Sequence, residues 1–485
     1  MNKRAVAFFI GRILLIEAIC MIPSTIICFA TGDTTGGVSF GAVAVSLVGV
    51  GCLLSIFKKS VAGGIHAREG FATVALGWIS ISLFGSLPFY VSGAIPRFID
   101  AWFETVSGFT TTGASILTNI EALSAGMLYW RSFIVWMGGM GVLVFMLAIV
   151  PLAKGSGESM HILRAESPGP VISKLVPRLR STARILYLIY LVLTAVMVVM
   201  LLAGGMPLFD SITTAMSTAG TGGFSIRNAN IGYYDSTYIH IVIGVFMMLF
   251  GINFSLYYLV LLRDFKTIFS SSELRVYLGV IAVSTAVIAL DILKIYKSFG
   301  QALHHAFFHV SSIASSTVFF IEDYGLWPQF TRTLLLLLMV FGACAGSTGG
   351  GFKVSRFIIL WKSLRYEVKK LLHPRSVQVI KIDGKPIDKS VISGVHGYFV
   401  LYCLLCTVSM LIISLDSPDF TTTFSSVIAT INNMGPGFGI VSPTENYAAF
   451  SDLSKAVFTV NMFLGRLEIY PIILIFSPAV WLRGK

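Results

Sequence analysis

Charge is scarce in this chain. Asp, Glu, Lys and Arg make up 12% of 485 residues while hydrophobic residues make up 55%, and the mean hydropathy is +0.83. A water-soluble domain is excluded, because too few polar side chains are available to cover its surface. Cysteine is also sparse. Cys20, Cys28, Cys52, Cys344, Cys403 and Cys406 all fall in apolar segments. The Cys403-x-x-Cys406 pair sits mid-helix without a second ligand pair, which predicts core packing in place of zinc or redox chemistry. Clustered acid–base groups are missing as well. His304, His305 and His309 come nearest, but no carboxylate cluster accompanies them, which argues against a membrane enzyme or a metal centre. No small-residue cleavage site precedes a soluble domain, so the first apolar segment is expected to persist as a helix.

What the chain has is long apolar segments. A helical span needs roughly 20 such residues. Ten are readable, at 5–30, 37–57, 70–92, 129–152, 183–203, 238–262, 275–295, 331–361, 393–415 and 455–482. Most of the 35 Lys and Arg residues fall between them on one side, whereas Arg97, Arg131, Arg227, Lys294, Lys297, Arg332 and Lys455 fall on the other. That bias places both termini in the cytoplasm. The net charge of +12 is thus topological and gives no reason to expect nucleic acid as a partner; anionic membrane lipid or an acidic protein face suits the basic loops at 153–184 and 362–392. The second loop holds an Ile380-Lys-Ile-Asp-Gly-Lys-Pro-Ile turn that predicts a small hairpin.

Between spans recurs a shorter plan. Phe98–Phe109 is long enough only for a helix that stops partway through a membrane, and it runs into Thr110-Thr-Thr-Gly113. Irregular backbone at membrane depth is tolerated only inside protein or along a watery cavity. Such a turn suggests carbonyls that replace a cation's water shell. Phe103-Glu104 is echoed by Phe209-Asp210, Phe308-His309 and Phe424-Ser425, followed by Ser217-Thr-Ala-Gly220, Ser315-Ser-Thr-Val318 and Asn432-Asn-Met-Gly435. Four copies in one orientation predict a pore with internal fourfold symmetry. A secondary transporter would instead show two inverted halves. The carboxyl ends of four pore helices would favour a cation. Glu104 and Asp210, read as matching positions, are expected to hydrogen-bond backbone behind the turns.

Two departures from plain spans stand out. Phe341-Gly-Ala-Cys-Ala-Gly-Ser-Thr-Gly-Gly-Gly-Phe-Lys353 interrupts the eighth apolar segment. Each interior glycine costs about 1 kcal/mol of helix propensity relative to alanine, so a break is predicted there, placed to cross the pore as a gate. Its residues are Gly342, Gly346, Ser347, Thr348, Gly349, Gly350 and Gly351. Arg466 and Glu468 lie inside the last span. An intramembrane arginine faces a cavity or a buried partner. In the pore it would raise the barrier to leak, and its structural alternative is an ion pair with Glu468 or a carboxylate on another helix.

Taken together, Thr-Thr-Thr-Gly-Ala in the first unit, Thr-Ala-Gly-Thr-Gly-Gly-Phe-Ser in the second, the Gly-Ser-Thr-Gly-Gly break in the third and Gly-Arg-Leu-Glu in the fourth resemble the TrkH family of bacterial potassium uptake proteins, within the Trk/Ktr/HKT superfamily. The fold expected is an all-α polytopic membrane protein: ten transmembrane helices, with four span, pore-helix, filter-loop, span repeats around a central pore, plus an N-terminal helical hairpin. The units run 1–60 (hairpin), 61–155, 156–265, 266–370 and 371–485. The resemblance implies potassium-selective uptake across the bacterial cytoplasmic membrane, with potassium as the transported ion and no covalently bound cofactor. It also implies a homodimer with one pore per protomer and a cytoplasmic, nucleotide-binding TrkA-type regulatory ring. The alternative is a proton- or sodium-coupled secondary cation transporter. Carried over, the ion-lining residues are Thr111, Thr112 and Gly113; Thr218, Ala219 and Gly220; Ser316 and Thr317; and Asn433, Met434 and Gly435, with Arg466 beside the gate. Val318 stands where the third unit is expected to carry glycine. A β-branched residue disfavours positive φ, so this quarter is expected to be distorted or shifted by one residue.

Overall fold

In hydrocarbon each segment must satisfy its own amides and carbonyls, which makes long apolar stretches helical. The computed structural model of this protein follows that rule, and it describes residues 2–57, 67–149, 179–374 and 379–478. Most of the basic loop 153–184 lies outside the described residues.

The chain opens with α1 (Lys3–Cys20) and α2 (Ile22–Ala30), which run as one span, and returns through α3 (Thr34–Ser55). The hairpin is tight because Gly11 and Gly51 face each other. A Cβ on either would lie 2.9 Å from the other's carbonyl oxygen, the close backbone approach that joins helices in lipid. α1 also packs on the helix Ala67–Val91 that follows, so the hairpin stands against the first unit.

Four units follow. The first has α4 (Ala67–Val91), the short α5 (Phe98–Phe109) and α6 (Ala125–Ile149). The second has α7 (Leu179–Ala203), the short α8 (Leu208–Gly220), α9 (Thr237–Phe250) and α10 (Phe254–Leu261), then α11 (Phe265–Ser270). The third has α12 (Ser272–Asp291), the short α13 (Phe299–Ala314), α14 (Gln329–Phe341) and α15 (Val354–Leu372). A hairpin, β1 (Lys381–Ile382) with β2 (Lys385–Pro386), leads into the fourth. That unit has α16 (Lys389–Ile413), the short α17 (Phe420–Ile431), α18 (Asp452–Arg466) and α19 (Tyr470–Phe476).

Among the described residues, six spans are long and apolar enough to cross a membrane, and two bent pairs raise the number to eight. The other two of the ten expected segments are α6 and the α14/α15 pair, which is broken over residues 342–353 as the glycines predict. Two further breaks depart from the straight spans expected. α9 and α10 meet at 93°, and α18 and α19 at 119°. At the first, Asn253 leaves the helix and caps the next one by accepting from the Ser255 amide at 2.9 Å. At the second, Glu468 and Ile469 take φ of 59° and 63°, and Pro471, lacking an amide, begins a new helix.

The last unit closes against the first. α18 packs on α5, Lys455 Nζ meets Asp100 Oδ1 at 2.6 Å, and Arg97 pairs with Asp452.

Candidate ion-conduction site

Each of the four short helices ends in the same backbone closure. After α5, the Thr111 amide donates to Gly108 O (3.0 Å) and the Thr112 amide to Ser107 O (2.8 Å). Thr221 and Gly222 repeat this after α8, bonding Thr218 O (3.0 Å) and Ser217 O (3.1 Å). Ser316 and Thr317 do so after α13, and Asn433 and Met434 after α17. This is a left-handed helix cap, with φ of 54°, 57°, 64° and 53° at Thr111, Thr221, Ser316 and Asn433. Two residues on, φ is positive again at Gly113 (82°), Gly223 (65°), Val318 (54°) and Gly435 (68°).

The four turns follow one another in the order fourth, first, second, third, each touching the next. A Cβ on Gly113 would strike the Gly222 carbonyl, and one on Gly223 would strike that of Thr317. One on Gly435 would lie 2.7 Å from Thr112 O. Glycine is required here twice over, by the positive φ and by the neighbouring strand. Asn433 Nδ2 also donates to Thr112 Oγ1 at 2.9 Å, tying the fourth turn to the first.

Three sequence expectations change. Thr218, Ala219 and Gly220 lie in the last turn of α8, and Thr221, Gly222 and Gly223 occupy the place held by Thr111–Gly113. The Phe209 marker misled, because α8 continues one helical turn further beyond it than α5 does beyond Phe103. For the same reason Glu104 and Asp210 do not match; Asp210 lies one helical turn further from the left-handed turn that follows its helix. The signal was in the sequence, since Thr218-Ala-Gly-Thr-Gly-Gly offers two Thr-x-Gly registers. Val318 neither distorts nor shifts the third quarter. It is 1% exposed and adopts the glycine-like φ, at the strain a β-branched residue carries there.

Behind the turns, each quarter is braced differently. Glu104 accepts from the Ile116 amide (3.0 Å), Ser115 Oγ (3.0 Å) and Arg131 Nε (2.6 Å). Asp210 Oδ2 accepts from Arg227 (3.0 Å) and Tyr234 (2.5 Å). In the third, Ser312 Oγ donates to Phe319 O (2.6 Å). In the fourth, Ser425 Oγ bonds both the carbonyl and the amide of Phe438 (3.0 and 2.9 Å).

Directly against these caps lies the irregular segment 342–353. The Gly350 amide donates to Ser316 Oγ (2.6 Å) and that of Gly351 to Asn432 O (2.9 Å), so the segment abuts the third and fourth turns. On its other side it is stitched into the break between α9 and α10: Cys344 N–H bonds Gly251 O, and Phe254 N–H bonds Gly346 O, both at 3.0 Å. Glu273, at the start of α12, accepts from the Ala345 amide at 2.7 Å. Arg466 completes the contact. Its Nη1 donates to Thr348 O and its Nη2 to Gly138 O of α6, both at 2.8 Å. Carbonyls therefore hold Arg466, and Glu468 pairs with Arg356. The second, third and fourth units thus touch this segment directly, and the first is tied to it through Arg466. Nothing in local composition marks Glu273, whereas Gly251 and Asn253 inside an apolar span are the visible trace of the α9/α10 break.

A protein-family model for TrkH, described as a cation transport protein, matches residues 40–482. The Trk system potassium uptake protein TrkH of Salmonella typhimurium is 36% identical, with 99% of this chain and 100% of that protein covered. The Escherichia coli K12 protein of the same name is 35% identical, and the Trk system potassium uptake protein TrkG of that strain 34%, over 99% of this chain and nearly all or all of each relative. The crystal structure of the potassium transporter TrkH from Vibrio parahaemolyticus superimposes with a TM-score of 0.89 at 32% identity, covering 99% of this chain and 100% of that one.

Proposed function

The chain belongs to the TrkH family of cation transport proteins, and from that premise we propose that it takes potassium up across the bacterial cytoplasmic membrane through a filter formed by its four turns. The observation that carries this reading is the set of four equivalent left-handed turns, each ending a short helix, with the fourth against the first, the first against the second and the second against the third. Backbone oxygens of Thr111–Gly113, Thr221–Gly223, Ser316–Val318 and Asn433–Gly435 replace the ion's water shell. The carboxyl ends of α5, α8, α13 and α17 add a negative potential that favours a cation. As a family member the protein is a transporter, with no reaction to catalyse.

Segment 342–353 is the gate in this reading. Fastened to the third and fourth turns and clasped by Arg466, it obstructs the path on the cytoplasmic side, and the guanidinium opposes a leaking cation. The protein works as a homodimer with both termini cytoplasmic, and a nucleotide-binding ring of the TrkA type acts on the basic cytoplasmic loops. Rubidium and potassium uptake into liposomes holding the purified protein, with and without a proton gradient, tests the reading. Passive, potassium-selective uptake is expected. Uptake that requires the proton gradient would favour coupled transport.

A further inference from the structure

Taking the filter reading as its premise, we propose that Arg131 is a positioning residue for ion discrimination, fixing the spacing between the first two filter quarters. Arg131 lies on α6, and the Glu104–Arg131 pair is the most deeply enclosed ion pair among the described residues, with side chains 0% and 3% exposed. Desolvation offsets much of the attraction in a buried pair of this kind, so its burial is weak evidence for a stabilising role.

Arg131 is the only member of the pair that reaches beyond its own quarter. Nε holds Glu104 at 2.6 Å, while Nη1 crosses to the second quarter and donates to Ser225 O at 2.7 Å, two residues past Gly223. The guanidinium plane lies over Phe224, 3.7 Å from its centroid, so stacking fixes its orientation. On its other side Glu104 holds Ser115 and the Ile116 amide, two and three residues past Gly113. Ser115 O in turn accepts from the Tyr447 amide at 2.8 Å, and Tyr447 Oη donates to Gly435 O at 2.6 Å. One chain of contacts therefore runs from the fourth quarter through the first to the second. The carboxylate of the second quarter acts differently. Asp210 is held by Arg227 and Tyr234 of its own unit.

Discrimination between cations of unlike radius needs oxygens held at one spacing. Lysine could keep the charge opposite Glu104 but lacks the planar fork that reaches Ser225 O as well. The test measures rubidium uptake into liposomes with potassium or sodium as competitor, for the parent, Arg131→Met, Arg131→Lys and Glu104→Gln, each checked for monodispersity and melting temperature. Arg131→Met should lose about tenfold of the preference for potassium over sodium, roughly the worth of one charge-assisted hydrogen bond. Arg131→Lys should lose less, and Glu104→Gln should shift in the same direction. If Arg131→Met does not fold, Arg131→Lys and Glu104→Gln decide. A selective parent whose folded variants melt lower yet keep the parental ratio overturns the positioning role and leaves the filter reading standing. A parent that does not prefer potassium overturns the filter reading, and this role with it.

Discussion

At Gly223 a side chain would meet the Thr317 carbonyl, whereas Ala219 sits inside the last turn of α8. Gly223→Ala should therefore sharply reduce flux or selectivity. Ala219→Gly should cost only about 1 kcal/mol of helix propensity and leave the potassium-to-sodium ratio unchanged. Comparing the two by tracer flux tests which Thr-x-Gly register is the filter. Val318 poses a finer question. A β-branched residue at φ 54° stores about 1–3 kcal/mol of strain, and burying its side chain returns about as much. Val318→Gly should thus be nearly neutral in melting temperature while raising discrimination against sodium, as it gives the third turn the residue found at the equivalent position of the other three. An unchanged ratio would mean that the Val318 side chain plays no part in selection.

Among the elements, segment 342–353 joins bonds of its own, such as Ala343 N–H to Gly350 O, to fastenings on its neighbours. Four of its amides go to Ser316, Asn432, Gly251 and Glu273, and Thr348 O goes to Arg466. Arg466→Ala removes both the clasp and the charge, and basal flux without any cytoplasmic partner should rise. A folded variant that conducts less than the parent would assign Arg466 to structure alone. Deleting residues 346–350 removes the contacts with Ser316 Oγ and with the Phe254 amide together. Higher flux that no longer depends on a nucleotide-binding partner is expected, while low and still dependent flux would place the gate elsewhere.

For the whole molecule, the decisive step is ring closure. Lys455 and Asp100 are 355 residues apart in sequence, yet Lys455 is 1% exposed and 2.6 Å from its partner. Removing one member of such a pair strands the other, at a cost of about 3–5 kcal/mol when both are fully buried and less here, where Asp100 keeps 15% exposure. Lys455→Met should lower the melting temperature and, by loosening the fourth unit against the first, weaken selectivity more than a comparable loss in the N-terminal hairpin. A melting temperature equal to the parent's would show that the apolar packing of α18 on α5 closes the ring by itself.

The sequence alone determined the spans, the short helix Phe98–Phe109, the hairpin at 381–386 and the break after Phe341, because hydropathy, length and glycine content act locally. It also held three of the four left-handed turns in their observed register. Tertiary structure decided the rest. Whether Thr218 or Thr221 begins the second turn depends on where α8 meets its neighbours, and the break after α9 forms because the Gly251 carbonyl and the Phe254 amide find partners near residue 345. Arg466 bonds carbonyls and leaves Glu468 to Arg356 because Gly138, 328 residues away in sequence, lies beside it once four units surround one axis. Such contacts have no signature in local composition, since they come into being only when the ring closes.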